Sequence, residues 1–224
     1  MFKIKTQKKV FVPTGTSDLL INSILTNFKL HGKVLDLGAG TGYVGLKLLK
    51  NSKKKFKLYA SDISKASNKI IKLNAKLNKL KVDVKSGNLL YPWKGYRFDY
   101  IINDVSGVSE EIANISSWFN NVSCKSGKDG TKLTIKILSQ AQKYLSLNGV
   151  LFFPILSFSK EKKILKLAKK KFKKVKKIGN KEWILPKEMI PHFKLLEKMK
   201  KKGYINFRKK FGLITWTTKI YMAY

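Results

Sequence analysis

The chain has 224 residues, which suits one domain with a sizeable buried core and is short for two. Hydrophobic residues make up 43% and aromatic residues 12% of the chain, so the heavy charge does not indicate wholesale disorder. The longest apolar runs, such as Val150 to Leu156, are far shorter than the roughly 20 residues of a membrane-spanning helix. Cys124 is the single cysteine, and the basic N-terminus lacks the apolar stretch of a secretory signal. We therefore expect one cytoplasmic domain over residues 1–224.

The formal net charge of +35 and the isoelectric point near 10.2 have two interpretations. Basic side chains that neutralise phosphates drive binding to nucleic acid, which makes RNA or a ribosomal component the first expected partner. Alternatively, Arg97 and Arg208 are the only arginines among 48 basic residues, and such lysine usage with abundant Ile and Asn indicates an AT-rich genome. Codon bias accounts less well for the presence of only 13 acidic residues. Both interpretations stay open.

Apolar, β-branched runs alternate with longer amphipathic stretches, the pattern of βα units in a parallel sheet covered by helices. Strands are predicted at Lys33–Leu37, Phe56–Ser61, Lys81–Lys85, Phe98–Asn103 and Val150–Leu156. Helices are predicted at Tyr43–Leu49, Ser64–Leu80, Thr131–Leu147 and Glu161–Lys171. The fold class is α/β, with a Rossmann-like, mostly parallel sheet and helices on both faces.

The C-terminal part departs from this alternation. Residues Leu213 to Tyr224 alternate weakly and are rich in Thr, Ile, Trp and Tyr, as expected of a late antiparallel strand. Residues 178–211 contain Pro186, Pro191 and a lysine-rich helix, and we expect them to form a basic insertion before that strand.

A glycine-rich turn joins the first predicted strand to a helix, in Val34-Leu-Asp-Leu-Gly-Ala-Gly-Thr-Gly-Tyr43. Glycines allow a sharp turn and let a ligand lie against the backbone where the helix N-terminus presents free amides. The spacing is G-x-G-x-G, and Tyr43 stands where the dinucleotide fingerprint needs its third glycine, which argues against NAD. A plain tight turn is the alternative to a cofactor site formed by Gly38, Ala39, Gly40, Thr41 and Gly42.

Two further positions strengthen this interpretation. Asp62 follows the second strand, 24 residues after Gly38, where a carboxylate that binds both ribose hydroxyls is expected, and Ile63 adjoins it. Asn88 follows the third strand, where it is placed to accept a hydrogen bond from an adenine amino group. The alternatives are an N-cap for Asp62 and a turn asparagine for Asn88.

These residues resemble the class I S-adenosylmethionine-dependent methyltransferases. Asp36 with the glycines matches their first motif, Asp62 the ribose acid, and Asn88 the adenine contact, where Asp is more usual. The resemblance implies S-adenosyl-L-methionine as the cofactor, a core over residues 31–160 that binds it, and an N-terminal segment, residues 1–30, that covers it.

Two other segments resemble the HemK/PrmC-like small-domain methyltransferases. Val10-Phe-Val-Pro-Thr-Gly-Thr-Ser-Asp-Leu-Leu20 is similar to their V-x-x-P-x-x-D-T-E-L-L, and Ser126-Gly-Lys-Asp-Gly-Thr131 is similar to their G-G-x-D-G-L. Together with the glycine turn they cover most of Val10 to Leu156.

The fourth strand departs from that family, in which it ends in Asn-Pro-Pro-Tyr and positions a planar amide or amino nitrogen. Here the residues are Asn103-Asp104-Val105-Ser106-Gly107, so Asn103 is kept and both prolines and the aromatic residue are replaced. Glutamine or adenine N-methylation is therefore not carried over. Asn103 and Asp104 are the predicted catalytic residues; Asp104 would steer or deprotonate the acceptor, and helix capping near Ser109 is its alternative role.

Other chemistry is not expected. His31, His192 and Cys124 are too few and too far apart for a metal site, and Cys124 has no activating neighbour in sequence. Trp118 and Phe119 are placed to form a lid on an acceptor pocket.

The predicted reaction is in-line attack of an acceptor nucleophile on the sulfonium methyl group, helped chiefly by positioning. RNA or a ribosome- or translation-associated protein is the first acceptor class on charge, and a small molecule or another protein is the second. A noncatalytic nucleic-acid-binding protein on a methyltransferase fold is the alternative of a different class, because the fourth motif has changed.

Overall fold

A computed structural model describes residues 2–105, 107–119 and 122–224. The helices are α1 Gly15–Asn27, α2 Tyr43–Asn51, α3 Lys65–Leu77, α4 Glu110–Asn114, α5 Lys132–Gln140, α6 Glu161–Lys171 and α7 Phe193–Lys201. The strands are β1 Lys33–Leu37, β2 Lys57–Asp62, β3 Asp83–Ser86, β4 Phe98–Asn103, β5 Leu145–Leu156, β6 Val175–Ile184, β7 Arg208–Lys210 and β8 Leu213–Ala223. In this described part of the chain, none of the helices has both the length and the apolar character to cross a membrane.

The strands of the described residues form one eight-stranded sheet in the order β3-β2-β1-β4-β5-β8-β6, with β7 paired to β8. The first five strands run parallel, and β8 is antiparallel to β5, β6 and β7. This arrangement confirms the predicted Rossmann-like α/β class with a late antiparallel strand.

The central strands bury both faces, because side chains alternate across a sheet. On one face Leu35, Ile101 and Leu151 pack with residues of α5 and α6. On the other face Val34, Ile102 and Phe152 pack with residues of α1 and α2. A third apolar cluster joins α4 and α7 to the start of β8 and includes Phe158, Leu196 and Trp216. This third cluster anchors the C-terminal segment beside the carboxyl ends of the parallel strands.

The predicted helix Thr131–Leu147 is wrong at its C-terminal end. The α-helix ends at Gln140, a 3-10 turn follows, and β5 begins at Leu145, which pairs with Phe98 of β4. Leu145 is buried in the same cluster as Ile137 and Leu138 of α5. Because residues of the helix and of the strand fill one core here, the helical spacing of apolar residues continues into β5. The sequence pattern therefore did not show where the helix ends.

The predicted insertion over residues 178–211 includes part of the sheet. Residues up to Ile184 belong to β6, which pairs with β8 from Val175 to Ile184. The chain leaves the sheet at Leu185, forms α7, and returns through the short strand β7. The weak apolar alternation of β6, in which most residues are exposed, explains why sequence periodicity did not identify it.

Two buried asparagines, one near the end of α3 and one at its C-cap, hold the N-terminal segment in place. The side chain of Asn74 accepts a hydrogen bond from Lys5 N (2.8 Å) and donates to Lys5 O (3.0 Å) and to Thr41 O (2.9 Å) in the glycine turn. Asn78, one helical turn later, accepts from Lys3 N (2.9 Å) and donates to Lys3 O (2.6 Å). Asn74 therefore connects the N-terminal segment to the turn after β1.

We expect Asn74→Ala to lower the free energy of unfolding by about 1–3 kcal/mol, because backbone groups that Asn74 satisfies would lose their partners. Urea denaturation measures this change. Asn51→Ala, at an exposed helical position, is the matched control and should change stability by less than about 0.5 kcal/mol. Equal effects of the two substitutions would contradict the role assigned to Asn74.

Candidate active site

Polar residues from three strands meet at the carboxyl edge of the sheet. Leu37 of β1 pairs with Ser61 of β2 and with Asn103 of β4, so the three strands end at one level. Asp62 is the last residue of β2, and the predicted glycines and Asp104 lie in the turns after β1 and β4. Ligands bind at this edge in open α/β sheets, beside the strand where the chain order reverses.

The glycine turn is tightly confined. The amides of Gly38 and Ala39 donate to Ser61 O at 2.9 and 3.0 Å, and Gly40 N donates to Asp62 Oδ2 at 2.9 Å. Gly38 has φ +68°, and a Cβ there would lie 2.4 Å from Val105 Cγ2. Gly38 is therefore required both by the backbone conformation and by the approach of the loop after β4.

Asp36 is a buried carboxylate at the base of this turn, only 1% exposed. Its Oδ2 accepts a hydrogen bond from Gly45 N at 2.9 Å, whereas Oδ1 has no hydrogen-bond partner among the described residues. Burial raises the pKa of Asp36 to about 7 against the lowering effect of the Gly45 bond, and the negative charges of Asp104 and Asp62 raise it further. A cation bound at Oδ1 would lower the free-energy cost of keeping this buried carboxylate ionised.

Asp62 organises the turn through both of its oxygens. Besides the bond from Gly40 N, Asp62 Oδ1 accepts from Ser64 N at 2.8 Å, and the capping side chain of α3 is Ser64. The neighbouring Ile63 is 71% exposed. Gly87 N donates to Asp62 O at 3.1 Å, which places the exposed Asn88 beside the end of β2. The predicted ribose and adenine contacts thus lie on adjoining turns.

The two predicted catalytic residues lie directly after β4 and have different environments. Asn103 is buried, and its Oδ1 accepts from Val105 N at 3.0 Å, which shapes the loop. Asp104 Oδ2 accepts from the hydroxyl of Ser17 on α1 at 2.7 Å. Burial raises the pKa of Asp104 to about 6, although the Ser17 bond lowers it. The alternative capping role is filled by Ser109, whose side chain accepts from Ile112 N.

Two cavities adjoin at Asp104. The smaller one borders the glycine turn and is lined by Asp36, Gly38, Ala39, Gly40 and Thr41, among others. The larger one, of about 240 Å³, has five aromatic side chains in its wall: Phe11, Trp118, Phe119, Trp183 and Trp216. Both Phe11 and Asp104 line each cavity. We call the larger space the aromatic cavity.

Sequence reasoning identified part of this wall. Trp118 and Phe119 were the predicted lid residues, and both line the aromatic cavity. Phe11, Trp183 and Trp216 were missed, as was Ser17. Trp183 and Trp216 are stacked partners on neighbouring strands β6 and β8, a pairing that only the register of these strands reveals.

Within the described residues there is no group of three or more His, Cys, Asp and Glu placed to hold a metal ion.

Comparison with known proteins agrees with the observed fold. Residues 2–104 match the model of the methyltransferase small domain. Over this stretch, a little under half of its length, the chain is similar to the methyltransferase small domain. The resemblance to the HemK/PrmC-like group is also confirmed, by curated relatives named as release factor glutamine methyltransferases.

The relative from Borreliella burgdorferi is 34% identical over 152 residues, which are 64% of this chain and 52% of that protein. The chain thus spans about half the length of this methyltransferase. A protein from Methanocaldococcus jannaschii, provisionally named a protein N5-glutamine methyltransferase, is 28% identical over 87% of this chain and 92% of its own length.

Among solved structures, the T. thermophilus 16S rRNA N2 G1207 methyltransferase, in complex with AdoMet and guanosine, superposes with a TM-score of 0.55 at 17% identity. The superposition covers 95% of this chain and 43% of that chain. It shows a shared fold.

The raised pKa of Asp104 predicts a pH-dependent stability. The folded protein holds this proton more tightly than the unfolded chain, so the contribution of Asp104 is most favourable below about pH 4 and is lost as the pH rises to about 6. Asp104→Asn lacks the titrating carboxyl. We expect the free energy of unfolding of this variant, relative to wild type, to be higher at about pH 7.5 than at about pH 4.5.

Urea denaturation of the unliganded protein at the two pH values measures this difference. Asp83→Asn, at an exposed position on β3, is the control and should follow wild type at both values. A difference between Asp104→Asn and wild type that does not change with pH would show that burial does not perturb this carboxyl.

Proposed function

We propose that this protein transfers a methyl group from S-adenosyl-L-methionine to an acceptor held in the aromatic cavity. The observation that carries the proposal is the junction of two cavities at Asp104: one borders the glycine turn, and the other has aromatic walls. S-adenosyl-L-methionine, when bound, supplies an electrophilic methyl group on a sulfonium centre. The junction would be the place where donor and acceptor meet.

The residues at the glycine turn suit this cofactor. Asp36 Oδ1 and Thr41 Oγ1 are buried without hydrogen-bond partners in the described part of the protein, and both residues line the smaller cavity. Unpaired buried acceptors are rare because they are costly, and a ligand with a cationic amine would satisfy a carboxylate oxygen of this kind. We assign Asp36 and Gly38 to Gly42 to the methionine part of the cofactor.

The adjoining turns suit the nucleoside. Asp62 would accept hydrogen bonds from the ribose hydroxyls in addition to those from Gly40 N and Ser64 N, since a carboxylate has about four acceptor sites. The exposed side chain of Ile63 would lose contact with water against the adenine ring, and Asn88 would accept from its amino group.

Asp104 and Asn103 would orient the acceptor. With a pKa near 6, Asp104 is mostly ionised at neutral pH and can accept a proton from an attacking nitrogen or oxygen. Asn103 fixes the loop that carries Asp104 through the bond from Val105 N. In-line transfer needs alignment of donor and acceptor above all, so these residues act chiefly by positioning.

For the acceptor we propose RNA first and a translation-associated protein second. The aromatic cavity offers ring faces on which a nucleobase can stack, and the net charge of +35 favours a phosphate-bearing partner. The second candidate has its own support, because relatives are named for glutamine methylation of release factors. The changed segment after Asn103 separates this chain from the acceptor motif of the HemK/PrmC-like group.

Cofactor binding can be measured first, by calorimetric titration with S-adenosylmethionine and S-adenosylhomocysteine. We expect affinity in the micromolar range and a loss of about tenfold or more in Asp62→Ala, which removes hydrogen bonds to a charged acceptor. Asp83→Ala, an exposed acid on the neighbouring strand, should bind as wild type does. Absence of binding by well-folded wild type would favour the noncatalytic nucleic-acid-binding alternative.

The acceptor cavity can be tested with a labelled methyl group. We expect incorporation of the label from S-adenosylmethionine into a ribosomal fraction to fall by about tenfold or more in Trp118→Ala. Affinity for the cofactor should stay unchanged, because Trp118 lines the aromatic cavity and is not among the residues that line the smaller cavity. Leu147→Ala, an exposed apolar position, is the control.

Label removed by ribonuclease would identify RNA, and label removed by protease would identify protein. Unchanged incorporation in Trp118→Ala would exclude the aromatic cavity as the acceptor site.

A further inference from the structure

The hairpin of β7 and β8 has an unusual turn. Lys210 pairs with Leu213, so the loop consists of Phe211 and Gly212 alone. Both residues have positive φ, 47° and 73°, which is the pattern of a type I′ turn. Asn-Gly is the favoured sequence for this turn, and a bulky residue with positive φ is strained. Phe211 is therefore a poor residue for the backbone that it occupies.

Burial does not compensate for this strain. Phe211 is 102% exposed, and it takes part in no ring contact among the described residues. The neighbouring Leu213 is 48% exposed. A strained position that adds nothing to the core points to a role in binding, since strain of this kind clusters at functional sites.

The surroundings of Phe211 are basic. Residues 185–212 contain nine lysines and arginines but two glutamates, and Arg208, Lys209 and Lys210 of β7 are all exposed. Lys210 lies 3.4 Å from Glu182 and Lys209 lies 3.7 Å from Glu197, both as exposed ion pairs. Exposed ion pairs contribute little to stability, so both lysines can exchange these partners for the phosphates of a bound ligand.

The hairpin begins at the aromatic cavity. Thr215 of β8 pairs with Ile184 of β6 on one side and with Arg208 of β7 on the other. Ile184 and Trp216 line the aromatic cavity. Phe211 lies four positions before Thr215, which at about 3.3 Å per residue places the tip of the hairpin roughly 13 Å from Thr215. A chain whose acceptor group enters the cavity can therefore reach the tip with its next residues.

We propose that this hairpin binds single-stranded RNA beside the acceptor nucleotide, with Phe211 stacked on an unpaired base and the basic residues of β7 against the phosphates. An exposed ring flanked by cations is the combination by which proteins bind single strands with little sequence preference. The proposal rests on RNA as the acceptor. It adds a second contact, outside the cavity, that would fix the acceptor strand.

The test is fluorescence anisotropy of the full chain with a labelled single-stranded RNA of about 12 nucleotides. Phe211→Ala should weaken RNA binding by about fivefold or more, and Phe211→Trp should bind RNA as wild type does. Leu147→Ala should not change RNA binding, because Leu147 is as exposed as Phe211 but lies at the start of β5, away from the hairpin. Affinity for S-adenosylhomocysteine should be unchanged in all three variants. RNA binding by Phe211→Ala that equals wild type overturns the proposal.

A further variant separates binding from folding. Phe211→Asn creates the favoured turn sequence, so it should raise the Tm while weakening RNA binding as Phe211→Ala does. Arg208→Gln should lower the dependence of RNA binding on salt concentration, whereas Phe211→Ala should leave that dependence unchanged. A lower Tm in Phe211→Asn would show that the ring stabilises the fold, and this result would overturn the proposal.

Comparison with a polyglutamate peptide distinguishes RNA from an acidic protein. If wild type binds the peptide but not RNA, both this proposal and RNA as the acceptor are overturned. The proposed cofactor site would still stand in that case if the protein binds S-adenosylmethionine. Binding of RNA that is insensitive to Phe211 would overturn the hairpin proposal alone.

Discussion

The carbonyl of Ser61 accepts two hydrogen bonds from the glycine turn, from the amides of Gly38 and Ala39. This contact ties the turn after β1 to the end of β2, while Val105 from the loop after β4 packs against Gly38 on the other side. A side chain at Gly38 would have no room. The three loops that carry the polar residues of the site are therefore held at fixed distances by one small, crowded contact.

Negative charge at a buried carboxyl, Asp36, and a half-buried one, Asp104, is the second feature of the site, in a chain that is otherwise strongly basic. Asp36 and Asp104 both have raised pKa values because burial penalises their charged forms, and Asp36 is raised further by its acidic neighbours. The unliganded fold therefore carries a cost at neutral pH that a cationic ligand would reduce. Binding of a cation near these carboxyls should therefore raise the stability of the fold. Perturbed pKa values of this kind cluster at functional sites.

The aromatic cavity lies beside the segment in which this chain departs from the HemK/PrmC-like pattern, because Asp104, Val105 and Gly107 are among its lining residues. The segment after Asn103 lacks the two prolines and the aromatic residue of the HemK/PrmC-like pattern. Aromatic faces come instead from distant parts of the chain, among them Trp118 in the loop region after α4 and Trp216 on β8, whose rings lie 5.2 Å apart. The third apolar cluster supports this wall, because Trp216 and the residues of α7 belong to it.

The sequence by itself determined the features that depend on neighbours along the chain. The strand Lys33–Leu37, the glycine turn and Asp62 were all predictable, because a buried strand, a turn that requires positive φ and a carboxylate after the next strand leave local patterns. The helix Glu161–Lys171 was predictable for the same reason, since its apolar residues recur with the helical period.

Tertiary structure decided the rest. The end of α5 at Gln140 depends on the pairing of Leu145 with Phe98, and the environment of Asp104 depends on Ser17 of α1, 87 residues away in sequence. The aromatic cavity assembles residues between Phe11 and Trp216. These contacts join positions far apart in the chain, and because side-chain periodicity describes only which face is buried, it carries no information on which distant partner fills that face.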